Sequence, residues 1–458
     1  MIKFTSKSVP ILLSFLFNYL SSSAQTIAAG GLQSLAICND SIAWAWGQNS
    51  YGELGNGTTI GSNLPLQVSF LSDVTAIAGG YDHSIALKSN GTVWTWGRNT
   101  EGQLGNGNNI NSSIPIQVTS LSNIIAIASG HHFSLALKND GTVWTWGDND
   151  NGQLGDSTNT NSNLPVQAYF LTDIISISSL ADHFLALKND STVWACGSNS
   201  FGQLGDGTTV DSNFPIQITA LSGISKIACG YYHSLALKSD STIWSWGYNL
   251  NGQLGDGTNI NSSIPNQVSS LFPVKAIAGG FIHSLAIKSD GTIWTWGGNG
   301  NGQLGNGSFT SSNIPLQVSS LSSITSIAGN AHSLALKNDG TLWAFGYNAA
   351  GQLGDGSTTT RTIPIQVNSL CPVINNIIEN NEHQYFSVYP NPSNGKFTID
   401  DSYLKDKIKA IKIYTILGET VFNQIYVKEV NISELPRGVY IVELSNKKNT
   451  YKKRIIIQ

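Results

Sequence analysis

Residues 80–107 read GYDHSIALKSNGTVWTWGRNTEGQLGNG, and this stretch returns with small changes along most of the chain. Its Leu-Gly pair recurs with the leucine at Leu54, Leu104, Leu154, Leu204, Leu254, Leu304 and Leu353. The spacing is 50 residues, and 49 residues for the last unit. A fixed period of this length is typical of repeat architectures, so we interpret the chain as seven copies of one unit.

Each unit has the pattern of four short strands. Residues 84–88 and 92–96 flank Asn90-Gly91, which predicts a β-hairpin with a primed turn. The small apolar residues 76–79 suit an inner strand that is crowded near an axis. A proline opens the last run of every unit, and because proline lacks the N–H that a central strand donates, we expect that strand at an outer edge. Four strands per unit and seven units predict an all-β fold, a seven-bladed β-propeller over residues 25–372.

These repeats resemble those of the regulator of chromosome condensation family. The shared patterns are Gly-x-x-His-Ser-Leu-Ala-Leu, Asp-Gly-Thr-Val-Trp-x-Trp-Gly and Asn-x-x-Gly-Gln-Leu-Gly, and they cover roughly residues 26–371. The resemblance implies a seven-bladed propeller. It does not decide the function, because members include a nuclear nucleotide-exchange factor, a plant ultraviolet photoreceptor and a secreted bacterial inhibitor of β-lactamases.

Residues 1–24 have the features of a signal peptide. Lys3 and Lys7 precede an apolar run over residues 9–17, and Ser22-Ser23-Ala24 supply small residues before a cleavage site. The apolar run is too short to span about 30 Å of bilayer. We therefore expect a secreted chain that starts near Gln25 and keeps no transmembrane segment, which excludes a nuclear role.

The charge is distributed unevenly along the chain. Residues 25–372 contain 10 Lys and Arg against 19 Asp and Glu, about −9, whereas residues 373–458 carry about +3. Nucleic acids require a basic surface, so an acidic ring argues against a nucleic-acid partner.

The repeat stops near Pro372, and an asparagine-rich linker is predicted over residues 373–385. Residues 386–458 alternate short strands with Gly and Pro turns, which predicts a small antiparallel β-sandwich. Their motifs, including Tyr389-Pro390-Asn391-Pro392 and Leu435-Pro436-Arg437-Gly438, are similar to the type A sorting domain of the type IX secretion system. The resemblance implies a Gram-negative bacterium of the Bacteroidetes kind and partnership with that secretion machinery. It also implies a protein that is secreted or anchored at the outer-membrane cell surface.

The four cysteines, Cys38, Cys196, Cys229 and Cys371, show neither close pairing nor metal-ligand spacing. Free buried thiols are the expected state, with a single disulfide as the alternative.

A histidine recurs at one position of the unit, as His83, His183, His233, His283 and His332, with Gln33 and Phe133 in the other two units. Equivalent residues of a propeller are a blade's width apart, too far to share one ion at ligand distances of about 2.0–2.1 Å. We therefore expect a structural hydrogen bond inside each blade. Residues 148–152 (DNDNG) resemble a calcium loop, but they lack its length and its terminal glutamate, so no metal and no cofactor is predicted.

No nucleophile, base and orienting acid depart together from the repeat, so we assign no catalytic residue. The units vary most in the pair before the histidine position, which follows the inner strand and should lie on one rim near the channel mouth. The candidate binding residues are Tyr81, Asp82, His131, His132, Asp182, Tyr231, Tyr232 and Phe281. Aromatic and Asp side chains are frequent anchors of protein interfaces, and solvated loops without a partner are the alternative. The Gly-Gln-Leu-Gly loops are expected on the opposite face.

Two functional classes remain open from the sequence. The first is a secreted or cell-surface binding scaffold that holds a protein or a glycan through one rim. The second is an extracellular lyase or hydrolase that acts on polysaccharide across the propeller face.

Overall fold

The structure is a computed structural model that describes residues 27–38, 41–371, 386–391, 393–402, 404, 407–415, 419–436, 438–446 and 450–457. The chain divides into two compact units, one up to Cys371 and one from Pro372. The expected signal peptide and the expected linker lie outside the described residues. The described residues contain strands and turns but no helix.

The first unit is a ring of seven four-stranded antiparallel sheets, each formed by one repeat in the order of its sequence. The strands are, in blade 1, β1 (Ile27–Ala29), β2 (Gln33–Ile37), β3 (Ala43–Gly47) and β4 (Ser62–Gln67); in blade 2, β5 (Val74–Gly79), β6 (His83–Lys88), β7 (Val93–Gly97) and β8 (Ser112–Gln117); in blade 3, β9 (Ile124–Ser129), β10 (Phe133–Lys138), β11 (Val143–Gly147) and β12 (Ser162–Gln167); in blade 4, β13 (Ile174–Ser179), β14 (His183–Lys188), β15 (Val193–Gly197) and β16 (Ser212–Gln217); in blade 5, β17 (Ile224–Cys229), β18 (His233–Lys238), β19 (Ile243–Gly247) and β20 (Ser262–Gln267); in blade 6, β21 (Val274–Gly279), β22 (His283–Lys288), β23 (Ile293–Gly297) and β24 (Ser312–Gln317); and in blade 7, β25 (Ile324–Gly329), β26 (His332–Lys337), β27 (Leu342–Gly346) and β28 (Arg361–Gln366). The predicted seven-bladed propeller is confirmed.

The first strand of every blade lies next to the central axis. These strands contact one another in a closed circle from β1 to β25 and back to β1. They line a cavity of about 570 Å³ with small side chains such as Ala28, Ala78, Ala128 and Ala228. The small residues of the inner strand are therefore what lets seven strands approach one axis.

The hairpin between the second and third strands differs from the predicted primed turn. In blade 2 the Gly91 N–H donates to Lys88 O, and Lys88 N–H donates to Thr92 O. Gly91 has φ +76°, whereas Asn90 is not in the left-handed region. The connection is thus a three-residue loop, a type I turn followed by one left-handed residue. Ser191 and Ser241 adopt the same left-handed conformation without glycine, at φ 66° and 71°.

The fourth strand lies at the outer edge, as the proline predicted. The pairing of the third and fourth strands shifts register in every blade, in blade 3 between Thr145 and Gly147. Pro165 lies in this irregular part, four residues into β12 and not at its start. An edge strand with a bulge tolerates the missing N–H.

Hydrogen bonds between neighbouring blades hold the ring together. In blade 3 the Ser134 hydroxyl donates to Gln103 O of blade 2 at 2.8 Å, and Trp146 Nε1 donates to the same carbonyl at 2.8 Å. His83 Nε2 of blade 2 lies 3.0 Å from Ser134 Oγ. Because the Ser134 hydroxyl already donates its proton to Gln103 O, His83 Nε2 is the donor to Ser134 Oγ. The expectation of a histidine bond within each blade is wrong, because the partner is a serine of the next blade.

The interface of blades 3 and 4 lacks all three bonds. At two other interfaces one bond differs, because Gln33 of blade 1 donates to backbone carbonyls of blade 2 and Phe345 of blade 7 replaces the tryptophan. Phe133 replaces the histidine of blade 3, and Phe184 and Cys196 replace the serine and the tryptophan of blade 4. All three are fully buried in one apolar cluster. The histidine and its serine partner are therefore exchanged together for apolar side chains, so that neither position keeps a polar side chain without its partner.

The cysteines divide into two kinds. Cys196 and Cys229 are free and buried, as expected. Cys38 and Cys371 form a disulfide across a sequence separation of 333 residues, with Cα atoms 5.4 Å apart. The expectation of free thiols is therefore wrong for this pair, which joins blade 1 to the segment after blade 7.

The second unit is a small antiparallel β-sandwich, as predicted. One sheet contains β29 (Ser387–Tyr389), β30 (Lys396–Asp400) and β33 (Glu429–Asn431); the other contains β32 (Thr420–Ile425), β31 (Ala410–Thr415), β34 (Gly438–Ser445) and β35 (Thr450–Ile457). Side chains from both sheets, among them Phe397, Ile411 and Val442, share one buried core.

Candidate functional site

The long connections of every blade lie on one face of the ring. In blade 2, β5 ends before the turn 80–82 and β7 ends before the loop 98–111, so both connections lie at the same end of the sheet. We call the face with these turns and loops in all seven blades the loop face. The opposite face, with turns such as 89–92 and connections such as 118–123, is the hairpin face. The Gly-Gln-Leu-Gly loops therefore share a face with the variable pairs, contrary to expectation, because β6 and β7 run antiparallel.

The first residues of the variable pairs form a continuous arc of rings on the loop face. The centroid of the Tyr81 ring lies 4.6 Å from that of His131, His131 lies 5.4 Å from Tyr231, and Tyr231 lies 4.4 Å from Phe281. Blade 4 contributes only the small Ala181 between His131 and Tyr231. This gap lets blades 3 and 5 touch, so four blades contribute to one surface.

The second residues of the pairs extend this arc outward. His132 stacks on His131 at 3.9 Å, and Tyr232 meets Tyr231 edge to face at 4.6 Å. Tyr232 also contacts Phe201 of the blade 4 loop at 5.1 Å. The eight predicted residues are thus brought together on one face by ring contacts and, for the two aspartates, by polar contacts.

Asp82 is linked to the aromatic arc by Arg98, which contacts both Asp82 and His132. Arg98 Nη1 lies 3.6 Å from Asp82 Oδ2 and 3.0 Å from His132 Nε2. Burial raises the pKa of Asp82, and the Arg98 charge opposes this shift. Burial and nearby positive charge lower the pKa of His131 and of His132 to about 4. Both imidazoles are therefore neutral at neutral pH and act as flat rings rather than cations.

Asp182 contacts the other end of this histidine pair. Its Oδ1 lies 3.8 Å from His131 Nδ1, and this oxygen is shielded from solvent without a hydrogen-bond partner among the described residues. Burial, followed by the charges of Asp148 and Asp150, raises the pKa of Asp182 to about 7. The carboxylate is therefore poorly compensated within the ring.

The arc is not uniformly exposed. Tyr231 is buried, with 7% of its surface accessible, whereas Tyr81, His132, Tyr232 and Phe281 are half-buried. Tyr231, which the sequence suggested as a binding residue of the rim, therefore supports this surface from below. In blade 7 the turn is one residue shorter, so that Asn330 occupies the position of Gly280 and accepts the Phe281 N–H at 3.0 Å.

A second layer of variable residues surrounds the arc and was not identified from the sequence. It lies at the start of the long loops and includes Arg98, Asp148, Phe201 and Tyr248. Tyr248 lies 4.9 Å from Phe201, and Arg98 pairs with Glu101 at 3.0 Å. The signal was present in the sequence, since these positions also differ in units that otherwise share one frame.

The negative charge of the ring is concentrated on the loop face. Among the described residues, that face has eleven carboxylates and only two basic residues, Arg98 and Arg361. The carboxylates are those of Glu53, Asp82, Glu101, Asp148, Asp150, Asp156, Asp182, Asp206, Asp211, Asp256 and Asp355. The hairpin face is balanced, with Lys88, Lys138, Lys188, Lys226, Lys238, Lys275, Lys288 and Lys337 against Asp73, Asp140, Asp173, Asp190, Asp240, Asp290 and Asp339.

Glu53 is the single acid at a position where the other six units have glutamine. It is fully buried; its Oε2 accepts the Tyr51 N–H at 2.8 Å, and its Oε1 has no partner among the described residues. Burial, supplemented by the charge of Asp82, raises the pKa of Glu53 from 4.5 to about 7. The protonated acid therefore mimics the glutamine of the other blades.

We expect Glu53→Gln to stabilise the ring in a pH-dependent manner. Below pH 4.5 the acid is protonated in both states, and the substitution changes little. Between pH 4.5 and 7 the unfolded state ionises first, so the wild-type chain loses stability; above pH 7 the difference is constant. Since one pKa unit corresponds to about 1.4 kcal/mol, the gain reaches at most about 3 kcal/mol. Denaturant unfolding at pH 5 and pH 8 measures this gain, and an equal gain at both values would contradict the assignment.

The described residues contain neither a metal-binding cluster nor a membrane-spanning helix. They contain no group of three or more His, Cys, Asp or Glu that could hold a metal ion. Burial lowers the pKa of His233, His283 and His332 to about 3, and each bonds a serine of the next blade. No helix of the described chain is long and apolar enough to span a membrane.

Comparison with protein families gives four matches. The RCC1-like domain matches residues 111–385, and two models of the regulator of chromosome condensation (RCC1) repeat match residues 40–87 and 74–103. The secretion system C-terminal sorting domain matches residues 387–458. A sorting tail of this kind indicates secretion or attachment at the cell surface. No curated protein matches the chain closely enough to count as a relative.

Solved structures of similar fold share little sequence with the chain. Prp20p from Saccharomyces cerevisiae, described with its binding properties to Gsp1p and histones, has a TM-score of 0.66 and 22% identity over 74% of this chain and 88% of that chain. Yeast RCC1 (Prp20) in complex with Kap60 has a TM-score of 0.65 and 22% identity, over 81% and 90% of the two chains. Human WBSCR16 has a TM-score of 0.61 and 23% identity, over 66% and 83%. At this identity the likeness shows the fold alone.

Proposed function

Because the chain belongs to the RCC1-like domain family and ends in a secretion sorting domain, we propose that it is a secreted or cell-surface scaffold that binds a protein partner through the loop face of its propeller. The observation that carries this proposal is the convergence of the variable residues. Units that share one frame differ at positions that meet in a single aromatic arc, Tyr81–His131–Tyr231–Phe281. A purely structural surface would have no need for different side chains at equivalent positions.

The composition of the arc supports a protein partner. Tyr and His rings offer flat contact area with few rotamers to immobilise, and Tyr and Arg are enriched in the energetic centres of protein interfaces. The neutral state of His131 and His132 keeps this surface free of positive charge between the carboxylates. Yeast RCC1, whose fold is similar, is known in complex with another protein, Kap60.

Export through the type IX secretion system completes the proposal. The sorting domain at residues 387–458 supports it. The disulfide between Cys38 and Cys371 supports it independently, because disulfides persist in oxidising compartments outside the cytoplasm. The expected signal peptide at residues 1–24 would bring the chain across the inner membrane of a bacterium of the Bacteroidetes kind.

Partner capture by the purified chain tests the binding function. We expect Tyr232→Ala to reduce the affinity for the captured surface protein by about 30-fold, because truncation of an interface anchor costs about 2 kcal/mol or more. The melting temperature should change little, since Tyr232 is half-buried on the surface. The readout is affinity capture from the secreted and surface proteins of the source bacterium, followed by titration of the purified partner.

The matched control is Tyr169→Ala, which removes a half-exposed tyrosine (50%) from the hairpin face. It should leave the affinity within about two-fold. Equal losses for both variants would place the binding surface elsewhere. Binding to a glycan array with no captured protein would show that the partner is a polysaccharide.

A further inference from the structure

The loop face has an aromatic surface next to an uncompensated carboxylate. Tyr232, Tyr248 and Phe201 are half-buried and contact one another at 4.9–6.0 Å between ring centroids. Asp182 Oδ1 lies 3.8 Å from His131 Nδ1, the His131 ring lies 5.4 Å from that of Tyr231, and Tyr231 contacts Tyr232 at 4.6 Å. The carboxylate and the tyrosine rings therefore border the same space.

Cations within the ring do not neutralise this carboxylate. Among the described residues, no Lys or Arg pairs with Asp148, Asp150 or Asp182, whereas Arg98 pairs with Asp82 and Glu101 and Arg361 pairs with Asp355. The ring of His131, whose Nδ1 lies 3.8 Å from Asp182 Oδ1, is neutral at neutral pH and does not compensate this charge. A half-buried side chain with an oxygen that accepts no hydrogen bond is incomplete by itself.

We propose that this part of the loop face binds a lysine- or arginine-rich segment of the partner protein, with one cationic side chain held between Asp182 and the tyrosine rings. This inference rests on the proposed binding function and specifies the chemistry of the partner. An ammonium or guanidinium group would pair with the Asp182 carboxylate on its solvent-accessible side and lie over the negative face of Tyr232. Asp148 and Asp150 would attract neighbouring cations of the same segment.

The charge distribution of the ring selects this partner over others. The acidic excess lies on the loop face, and complementary charge accelerates encounter with a basic segment and disfavours acidic ones. A neutral glycan could stack on the tyrosines but would leave the carboxylates uncompensated. Nucleic acid would be repelled by the same charges. Only a cationic protein segment satisfies both the rings and the carboxylates.

A labelled nona-arginine peptide is the probe for this site, and the full chain is the protein. We expect Asp150→Asn with Asp182→Asn to weaken peptide binding at least ten-fold in fluorescence anisotropy at low salt. The control is Asp73→Asn with Asp173→Asn, which changes the net charge equally on the hairpin face. It should alter binding less than two-fold. A nona-glutamate peptide should not bind the wild-type chain.

Each outcome decides the inference. Equal losses in the two double variants would show attraction by net charge alone and overturn it, as would a wild-type chain that does not bind the peptide. Asp150→Asn alone changes an exposed side chain, so it reports on the site even if the double variant does not fold. If Tyr232→Ala weakens binding of the natural partner about 30-fold while the aspartate variants bind it as the wild-type chain does, the binding function stands and the cationic segment is wrong.

Discussion

Replacing Trp146 with alanine is expected to lower the free energy of unfolding by about 3–5 kcal/mol, the range for truncating a large buried aromatic side chain. Trp146 is fully buried and packs in the core cluster between blades 2 and 3, which includes Ile85, Val93 and Val118. Its Nε1 also donates to Gln103 O at 2.8 Å. The substitution removes both the packing and one of the bonds across the interface. Denaturant unfolding followed by circular dichroism measures the loss.

Trp144 provides a control on the same strand. It lies on the same face of β11 and packs at the margin of the same core cluster, but it is half-buried and donates only to Thr142 Oγ1 at 3.2 Å. Trp144→Ala should therefore cost clearly less than Trp146→Ala. Trp146→Phe should be intermediate, because blade 7 uses Phe345 at this position. Similar losses for the two alanine variants would contradict the role of Trp146 as the joint between blades.

The architecture of a single blade could be predicted from the sequence because its determinants are local. Alternation in 84–88 and 92–96 and the proline after them predicted the hairpin and the edge strand, and the seven-fold period predicted the ring. The turn type was wrong because Asn-Gly is compatible with both a two-residue and a three-residue loop. The hydrogen bonds of Lys88 with Gly91 and Thr92 decide between them.

The contacts between blades could not be predicted from one unit. The partner of His83 is Ser134, 51 residues later in the next repeat. Aligning the repeats compares each residue only with residues at the same position of the unit, so it does not indicate a contact between the histidine position of one unit and the serine position of the next. The signal is visible in retrospect at Phe133 and Phe184, where both members of such a pair change together. The disulfide could not be predicted for a similar reason, because Cys38 and Cys371 are 333 residues apart and become neighbours only when the ring closes.

The candidate site was predicted in part. Variation among units identified Tyr81, His131, Tyr232 and Phe281, and the structure places them on one surface. Sequence variation does not show how deeply a side chain is buried, however, and Tyr231 is buried beneath its neighbours. The loop residues of the second layer were missed because they are distant in the sequence from the variable pairs. They reach the same face only because the first and third strands of each blade run in the same direction and end on that face.

Removal of the disulfide is the second change with a large expected effect. Each blade is formed by its own repeat, so within the described residues no strand from one end of the chain completes a blade at the other end. Blade 7 and blade 1 meet through the same bonds as the other blades, with Ser34 and Trp46 donating to Gln352 O at 2.8 Å. Only the disulfide joins the two ends covalently. Its loss should lower the free energy of unfolding by about 2–5 kcal/mol, toward the upper end because the closed loop is long.

The double variant Cys38→Ser, Cys371→Ser tests this expectation against the reduced wild-type chain. Both should unfold at the same lower denaturant concentration, and a reductant should have no effect on the variant. Cys196 and Cys229 are free and buried, so they do not add a second reductant-sensitive bond. Hydrogen exchange should rise first at the interface of blades 7 and 1, while that of blades 5 and 6 stays protected. Uniform loss of protection around the ring would instead mean that the propeller opens as one cooperative unit and that the disulfide acts through the unfolded chain alone.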